Sequence, residues 1–279
     1  GKDGVFSMLF EFSHLELSYP EGEIWCKRFP WKLSQLKDAL SASQAATAKE
    51  GWYPIFFENH DQNRSMHRYF PEGTDPKIAA KALATVLFTL RGTPFVYEGE
   101  ELGMTNTAFP KIEDYNDIST HGQYEYALKE GLSPEEALKA VQFQSRDNAR
   151  TPMQWDDSEN GGFTCGKPWI KCNDNYRTIN AQSEVNDPDS LYNYYKRLIQ
   201  CYHDHADIVR QAEFRPMYEE YPGLFAYERE VDGKGLLVIV NFTNEKLMFQ
   251  KIDQKCVLCN YHETESEWLQ PYEARIYSK

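Results

Sequence analysis

Directly behind the apolar run Tyr53-Pro54-Ile55-Phe56-Phe57, the chain places seven polar residues in succession: Glu58, Asn59, His60, Asp61, Gln62, Asn63 and Arg64. Carboxylate, imidazole, amide and guanidinium groups together can hold a proton and can both donate and accept hydrogen bonds. Packing explains such a run poorly, although the same groups can also pin a loop to a domain rim. Two smaller polar sets follow other apolar runs. Glu11, Phe12 and His14 come after Val5 to Phe10, and Glu98, Glu100 and Glu101 come after Pro94 to Tyr97. The three glutamates do not make an acid/base pair on their own, because nothing beside them supplies a nucleophile.

The elements that position these groups alternate between strand and helix. Residues 5 to 17 read as a buried strand, and Trp31 to Lys49 reads as a helix through Leu33, Leu36 and Leu40, started by Ser34 or Pro30. Tyr53 to Glu58 is a second strand, and Pro76 to Leu90 is a strongly apolar helix with proline in its first turn. Pro94 to Glu98 is a third strand, followed by a polar stretch and by a helix from Pro134 to about Gln144 that starts at Ser133. Strand alternating with helix predicts parallel pairing in an α/β protein, with function at the C-terminal strand ends. Three such units fall short of the eight that close a barrel. A barrel without its first strands leaves open edges and an apolar face.

Thr151 to Pro188 reads as a long functional or lid-like loop, and Asp189 to His205 as a helix presenting Leu191, Tyr194, Tyr195, Leu198 and Ile199. From about Phe214 the pattern turns to short strands: Gly223 to Glu230, Gly235 to Phe242 across an Asp232-Gly233 turn, Lys246 to Ile252, Lys255 to Asn260 and Glu273 to Tyr277. The expected division is therefore an α/β part over 1–210 and a small antiparallel β domain over 211–279.

The 279 residues carry 30 Lys+Arg against 43 Asp+Glu, a net charge of −13. With no clustered basic run, a nucleic-acid backbone is not an expected partner, and a neutral substrate is easier to accommodate. No uninterrupted apolar stretch is long enough to span a membrane, and Val5 to Phe10 is too short for a signal-peptide core. A strand so close to Gly1 suggests a start cut from a longer chain. Cys256 and Cys259 form a lone CxxC, read, like the other four cysteines, as free thiols of a reducing compartment. The cytoplasm is the expected location.

Three long motifs carry a resemblance. Phe57-Glu58-Asn59-His60-Asp61-Gln62-Asn63-Arg64, Gly92 to Asn106 and Ser145-Arg146-Asp147-Asn148-Ala149-Arg150-Thr151-Pro152-Met153-Gln154-Trp155-Asp156 closely resemble the α-amylase superfamily, glycoside hydrolase family 13, within it the oligo-1,6-glucosidase, α-glucosidase and trehalose-6-phosphate hydrolase group. Gly162-Phe163-Thr164 and Leu269 to Ala274 also fit. The resemblance implies the C-terminal portion of a (β/α)8 barrel, about strands six to eight, followed by an antiparallel β-sandwich. It implies retaining hydrolysis through a covalent glycosyl intermediate, with the nucleophile and the acid/base both lying before Gly1 in the absent N-terminal half of the barrel.

By the same resemblance Asp61 is the transition-state stabiliser, and His60 and Arg146 bind the same sugar. Asn59, Arg64, Arg150 and Phe12 are further substrate-binding candidates, although Arg64 and Arg150 can equally pair with neighbouring carboxylates. Phe10, Phe12 and Phe163 are possible sugar-stacking faces that also fit core or lid packing. Ser119 falls near the position of a glutamate that helps related enzymes select α-1,6 linkages, which leaves linkage open. No metal and no cofactor are implied. The expected substrate is a short α-glucoside with a terminal α-1,6 or α-1,4 bond, and the 279-residue chain alone is expected to be inactive. Trehalose-6-phosphate is the alternative substrate, and a non-catalytic sugar- or protein-binding remnant is the alternative of another class.

Overall fold

The computed structural model describes residues 3–19, 24–262 and 267–279. Its helical part runs α1 (Leu33–Ala46), β1 (Pro54–Ile55), α2 (Ser65–Tyr69), α3 (Pro76–Thr89), β2 (Thr93–Pro94), α4 (Ile118–Lys129), α5 (Pro134–Gln144), α6 (Ala181–Asn186), α7 (Leu191–Asp204) and α8 (Ala206–Gln211). The strands β3 (Glu213–Met217), β4 (Leu224–Val231), β5 (Lys234–Asn241), β6 (Leu247–Met248), β7 (Lys255–Cys259), β8 (Trp268–Leu269) and β9 (Ala274–Ser278) follow.

β1 and β2 pair in parallel across α3, with Thr93 N–H donating to Tyr53 O at 2.9 Å and Phe95 N–H to Ile55 O at 2.7 Å. Both strands are shorter than expected, because each has one ladder partner among the described residues. The expected strand over residues 5 to 17 is a correction: no strand forms there, and Val5, Phe6 and Leu9 are 92, 70 and 68 % exposed. Apolar composition makes a strand only where a neighbour completes the ladder, and no described segment pairs with this one. Phe10 instead packs edge-on against Phe56 and Phe95.

From Ala79 onward α3 is buried around its whole circumference, because it lies between other layers rather than at the surface. Asp75 caps it by accepting from Lys77 N–H, with Pro76 at the first position. The hydroxyls of Thr85 and Thr89 return to carbonyls one turn back and meet the Tyr194 and Tyr227 hydroxyls, so the polar atoms on this buried helix are satisfied. α7 buries Leu191, Tyr194, Tyr195 and Leu198, while Ile199, expected on that face, is exposed.

The expected two-sheet sandwich appears as one antiparallel sheet, ordered β3-β4-β5-β9-β7, and a two-stranded β6-β8 ladder. Alternation along β4 and β5 explains the layering. Phe225, Tyr227, Val238 and Val240 join the core shared with α3 and α7, whereas Leu224, Ala226, Leu237 and Ile239 pack with Phe249 and Leu269. Asp232 and Gly233 both take positive φ, 52° and 75°, as the tight hairpin between β4 and β5 requires. Arg229 of β4, fully buried, donates to Thr89 O, Val209 O and Ala212 O, and so binds the ends of α3 and α8 to the sheet.

α4 and α2 were not expected. α4 has Gly122 in its interior and buries only Thr120 and Ala127, so its apolar pattern is faint. The helix start expected at Ser34 or Pro30 falls instead at Lys32, whose N–H donates to the Gln35 side chain. The long stretch after Thr151 contains short helical turns and α6 rather than loop alone.

Candidate active site

The polar run after β1 folds into a tight loop. Asn59 Oδ1 accepts from Asp61 N–H at 2.8 Å, so Asn59 closes the turn that projects Asp61 outward. His60 and Asp61 are 73 and 46 % exposed, with His60 Nε2 3.3 Å from Asp61 Oδ2. The other oxygen faces two arginines from the turn that follows α5. Arg150 Nη2 lies 2.7 Å from Asp61 Oδ1, and Arg146 Nη1 lies 3.7 Å from the same atom. Arg150 Nε also donates to His60 O at 2.9 Å, which ties the two segments together through backbone as well as charge. Residues ninety positions apart are thus gathered round one carboxylate, and four of the seven candidates, His60, Asp61, Arg146 and Arg150, are brought into one cluster.

Arg64 is placed elsewhere. It is 1 % exposed and donates to Glu58 Oε2 at 2.9 Å, to Glu98 O at 2.8 Å and to Asn148 O at 3.4 Å. Its donors are spent inside the protein, so it shapes the loop and does not reach a ligand on the outer side. Phe12 is 38 % exposed and meets Phe56 edge-on. Phe163 is 51 % exposed.

Two residues not singled out from the sequence complete the cluster. Asp117 accepts from Arg146 Nε at 2.9 Å and from Arg146 Nη2, and it also caps α4 through Ser119 N–H and Thr120 N–H. Burial pushes the Asp117 carboxyl up, but the Arg146 guanidinium, the Thr120 hydroxyl and Ser119 N–H outweigh it and hold the group below its usual range. Asp147 accepts from the backbone N–H groups of Asn116 and Asp117 and so locks the two turns together. The available signal was the Asp117 to Thr120 spacing of a helix cap. Ser119 lies inside that capping turn.

Of the three glutamates that follow β2, Glu98 is exposed, Glu101 is half-buried and Glu100 is internal. Glu100 is buried, accepting from the Tyr195 hydroxyl at 3.0 Å and from Tyr97 N–H at 3.1 Å. Burial first, then the neighbouring Glu58 charge, pushes its carboxyl well above the usual range. A cleft of about 750 Å³ lies apart from Asp61, lined by Arg28, Trp31, His67, Arg68, Thr105 and Phe143 among others. The arrangement at Asp61 is instead an open surface of one acceptor among three donors, suited to a neutral polyhydroxylated ligand. Among the described residues no group of three or more His, Cys, Asp or Glu side chains could hold a metal ion, and no helix is long and apolar enough to cross a membrane.

A family description, Alpha amylase, catalytic domain, matches residues 2–212. The oligo-1,6-glucosidase of Parageobacillus thermoglucosidasius is 40 % identical, covering 97 % of this chain and 50 % of that protein. The trehalose-6-phosphate hydrolase of Bacillus subtilis (strain 168) is 38 % identical with the same coverage. The crystal structure of Bacillus licheniformis trehalose-6-phosphate hydrolase superposes with a TM-score of 0.90 at 37 % identity, over 97 % of this chain and 51 % of that one. The chain spans about half the length of the curated relatives it matches.

Proposed function

The chain belongs to the α-amylase family, and from that membership we propose that it is the C-terminal part of a retaining α-glucosidase acting on short oligosaccharides with terminal α-1,6 or α-1,4 bonds. The observation that carries this reading is the convergence of His60, Arg146 and Arg150 on Asp61. Asp61 accepts hydrogen bonds from hydroxyls of the sugar whose bond is cleaved, and these strengthen as the ring flattens toward the oxocarbenium-like transition state. His60 and Arg146 donate to the same sugar, and Arg150 holds the Asp61 carboxylate in place. β1 and β2 are the seventh and eighth barrel strands, and residues 211–279 are the β domain. The nucleophile and the acid/base belong to the half of the relatives' length that this chain does not span. The protein is proposed to be cytoplasmic, with its sugar as the one ligand and no cofactor.

Trehalose-6-phosphate is the second reading, favoured by the 38 % identity and the 0.90 TM-score to hydrolases of that name. Cleavage of isomaltose and of trehalose-6-phosphate by the full-length protein separates the two. Asp61→Asn in that protein is expected to lower kcat at least about 10²-fold, the order of a lost transition-state hydrogen-bonding group. Wild-type turnover by the variant would sink the assignment. The 279-residue chain alone is expected to leave an aryl α-glucoside uncleaved. A full-length protein that binds isomaltose in calorimetry and cleaves nothing would instead mark a non-catalytic sugar-binding remnant.

A further inference from the structure

The two arginines that face Asp61 are held differently. Arg150 reaches it directly at 2.7 Å, whereas Arg146 stops at 3.7 Å because its Nε and Nη2 are both engaged by Asp117. The Asp117 side chain has no exposed surface, against 29 % for Arg146, so the ion pair is anchored at its inner end. That end is fixed from several sides. Ser119 N–H, Thr120 N–H and the Thr120 hydroxyl reach the Asp117 carboxylate, Asp117 N–H donates to Asp147 Oδ2 at 3.1 Å, and Ser145 Oγ sits 2.8 Å from Thr120 Oγ1. Arg150 already takes one acceptor direction of Asp61 Oδ1; without Asp117 the Arg146 fork is free to close on the same oxygen and take the direction left for a sugar hydroxyl.

We infer that Asp117 is a positioning residue: by taking one edge of the Arg146 guanidinium it presents Nη1 to the sugar and keeps Asp61 open to it. The inference rests on the reading of Asp61 as the sugar-binding carboxylate. It also gives the start of α4 a task beyond structure, since the carboxylate that caps the helix is the one that aims the arginine.

Kinetics on the full-length protein test it. Asp117→Asn keeps an oxygen for the helix cap and removes the charge that retains Arg146, and kcat/KM is expected to fall roughly tenfold. The same substitution introduced into Arg146→Ala is expected to change kcat/KM by less than about twofold, because a residue that acts through another has nothing left to act on. Ser133→Ala, which weakens the cap of α5 without touching Asp117 or Arg146, is expected to lower Tm with kcat/KM unchanged. Independent, additive losses from Asp117→Asn and Arg146→Ala, or wild-type kinetics in Asp117→Asn, would overturn the inference while Asp61→Asn still proves inactive. An active Asp61→Asn would overturn the underlying reading and this one with it.

Discussion

Glu58 and Arg64, six residues apart at the two ends of one loop, form an ion pair at 2.9 Å with side chains 2 and 1 % exposed. The pair closes the segment that carries His60 and Asp61 much as a clasp closes a ring. Both partners are saturated: Glu58 Oε1 accepts from Ser65 N–H and the Ser65 hydroxyl, and Arg64 reaches two backbone carbonyls beyond Glu58. Desolvation of two charges is offset only because each keeps this full set of partners.

Removing one member of this pair leaves the other charged and buried. Glu58→Ala is expected to destabilise the protein by about 3–5 kcal/mol in urea unfolding, and Arg64→Ala by a similar amount. The double replacement Glu58→Leu with Arg64→Met is expected to cost less than either single change, since it strands no charge. A double variant as unstable as the sum of the singles would show that the pair contributes through its hydrogen bonds to Ser65 and the carbonyls rather than through mutual neutralisation.

Glu100 faces the same interior without an arginine of its own. Its carboxyl is raised by burial and by Glu58, so the folded protein binds a proton that the unfolded chain releases above its ordinary value near 4.5. The stability tied to that proton is complete below pH 4.5 and is lost as pH rises through the folded-state value. Glu100→Gln retains an acceptor for Tyr97 N–H and a partner for Tyr195, and nothing in it ionises. Its Tm relative to wild type should therefore climb as pH is raised from 4 to 8. A constant difference across that range would contradict the protonated state.

The Ser133-Pro134 start and the spacing after it place α5 at Pro134–Gln144, because a capping box and a proline act locally and need no distant partner. The Asp232-Gly233 hairpin was legible for the same reason. Val5 to Phe10 was misread because strand formation depends on a neighbour that composition cannot reveal. At the site, the motif residues His60, Asp61, Arg146 and Arg150 do converge, but Arg64 differs from them only in burial. Asp117 was passed over because the helix it caps, with so few buried side chains, had no period to announce it.

The six cysteines are free, and their surroundings rank their reactivity. Burial raises the Cys201 thiol to about 11 and the Cys259 thiol to about 12, whereas Cys165 is exposed. Thiolate and access are both needed for alkylation. At pH 8 iodoacetamide followed by peptide mass mapping is expected to label Cys165 first and Cys201, Cys259 and the buried Cys172 last. Early labelling of Cys259 would mean that β7 opens at the sheet edge.

His67 offers a pH dependence of the opposite sign to Glu100. Its Nδ1 accepts from Asn106 N–H at 3.3 Å, and burial pushes the imidazole down against the pull of Glu72 and Glu58. The unfolded chain takes up a proton near the ordinary value of 6.5 that the folded protein still refuses. The stability involved is therefore present above 6.5 and is lost as pH falls through the lowered folded-state value. His67→Gln keeps an oxygen able to accept from Asn106 and does not titrate. Between pH 7 and 5 the wild-type Tm is expected to fall more steeply than that of the variant. Parallel curves would show that protonated His67 is tolerated in place, with Glu72 and Glu58 compensating for the lost acceptor.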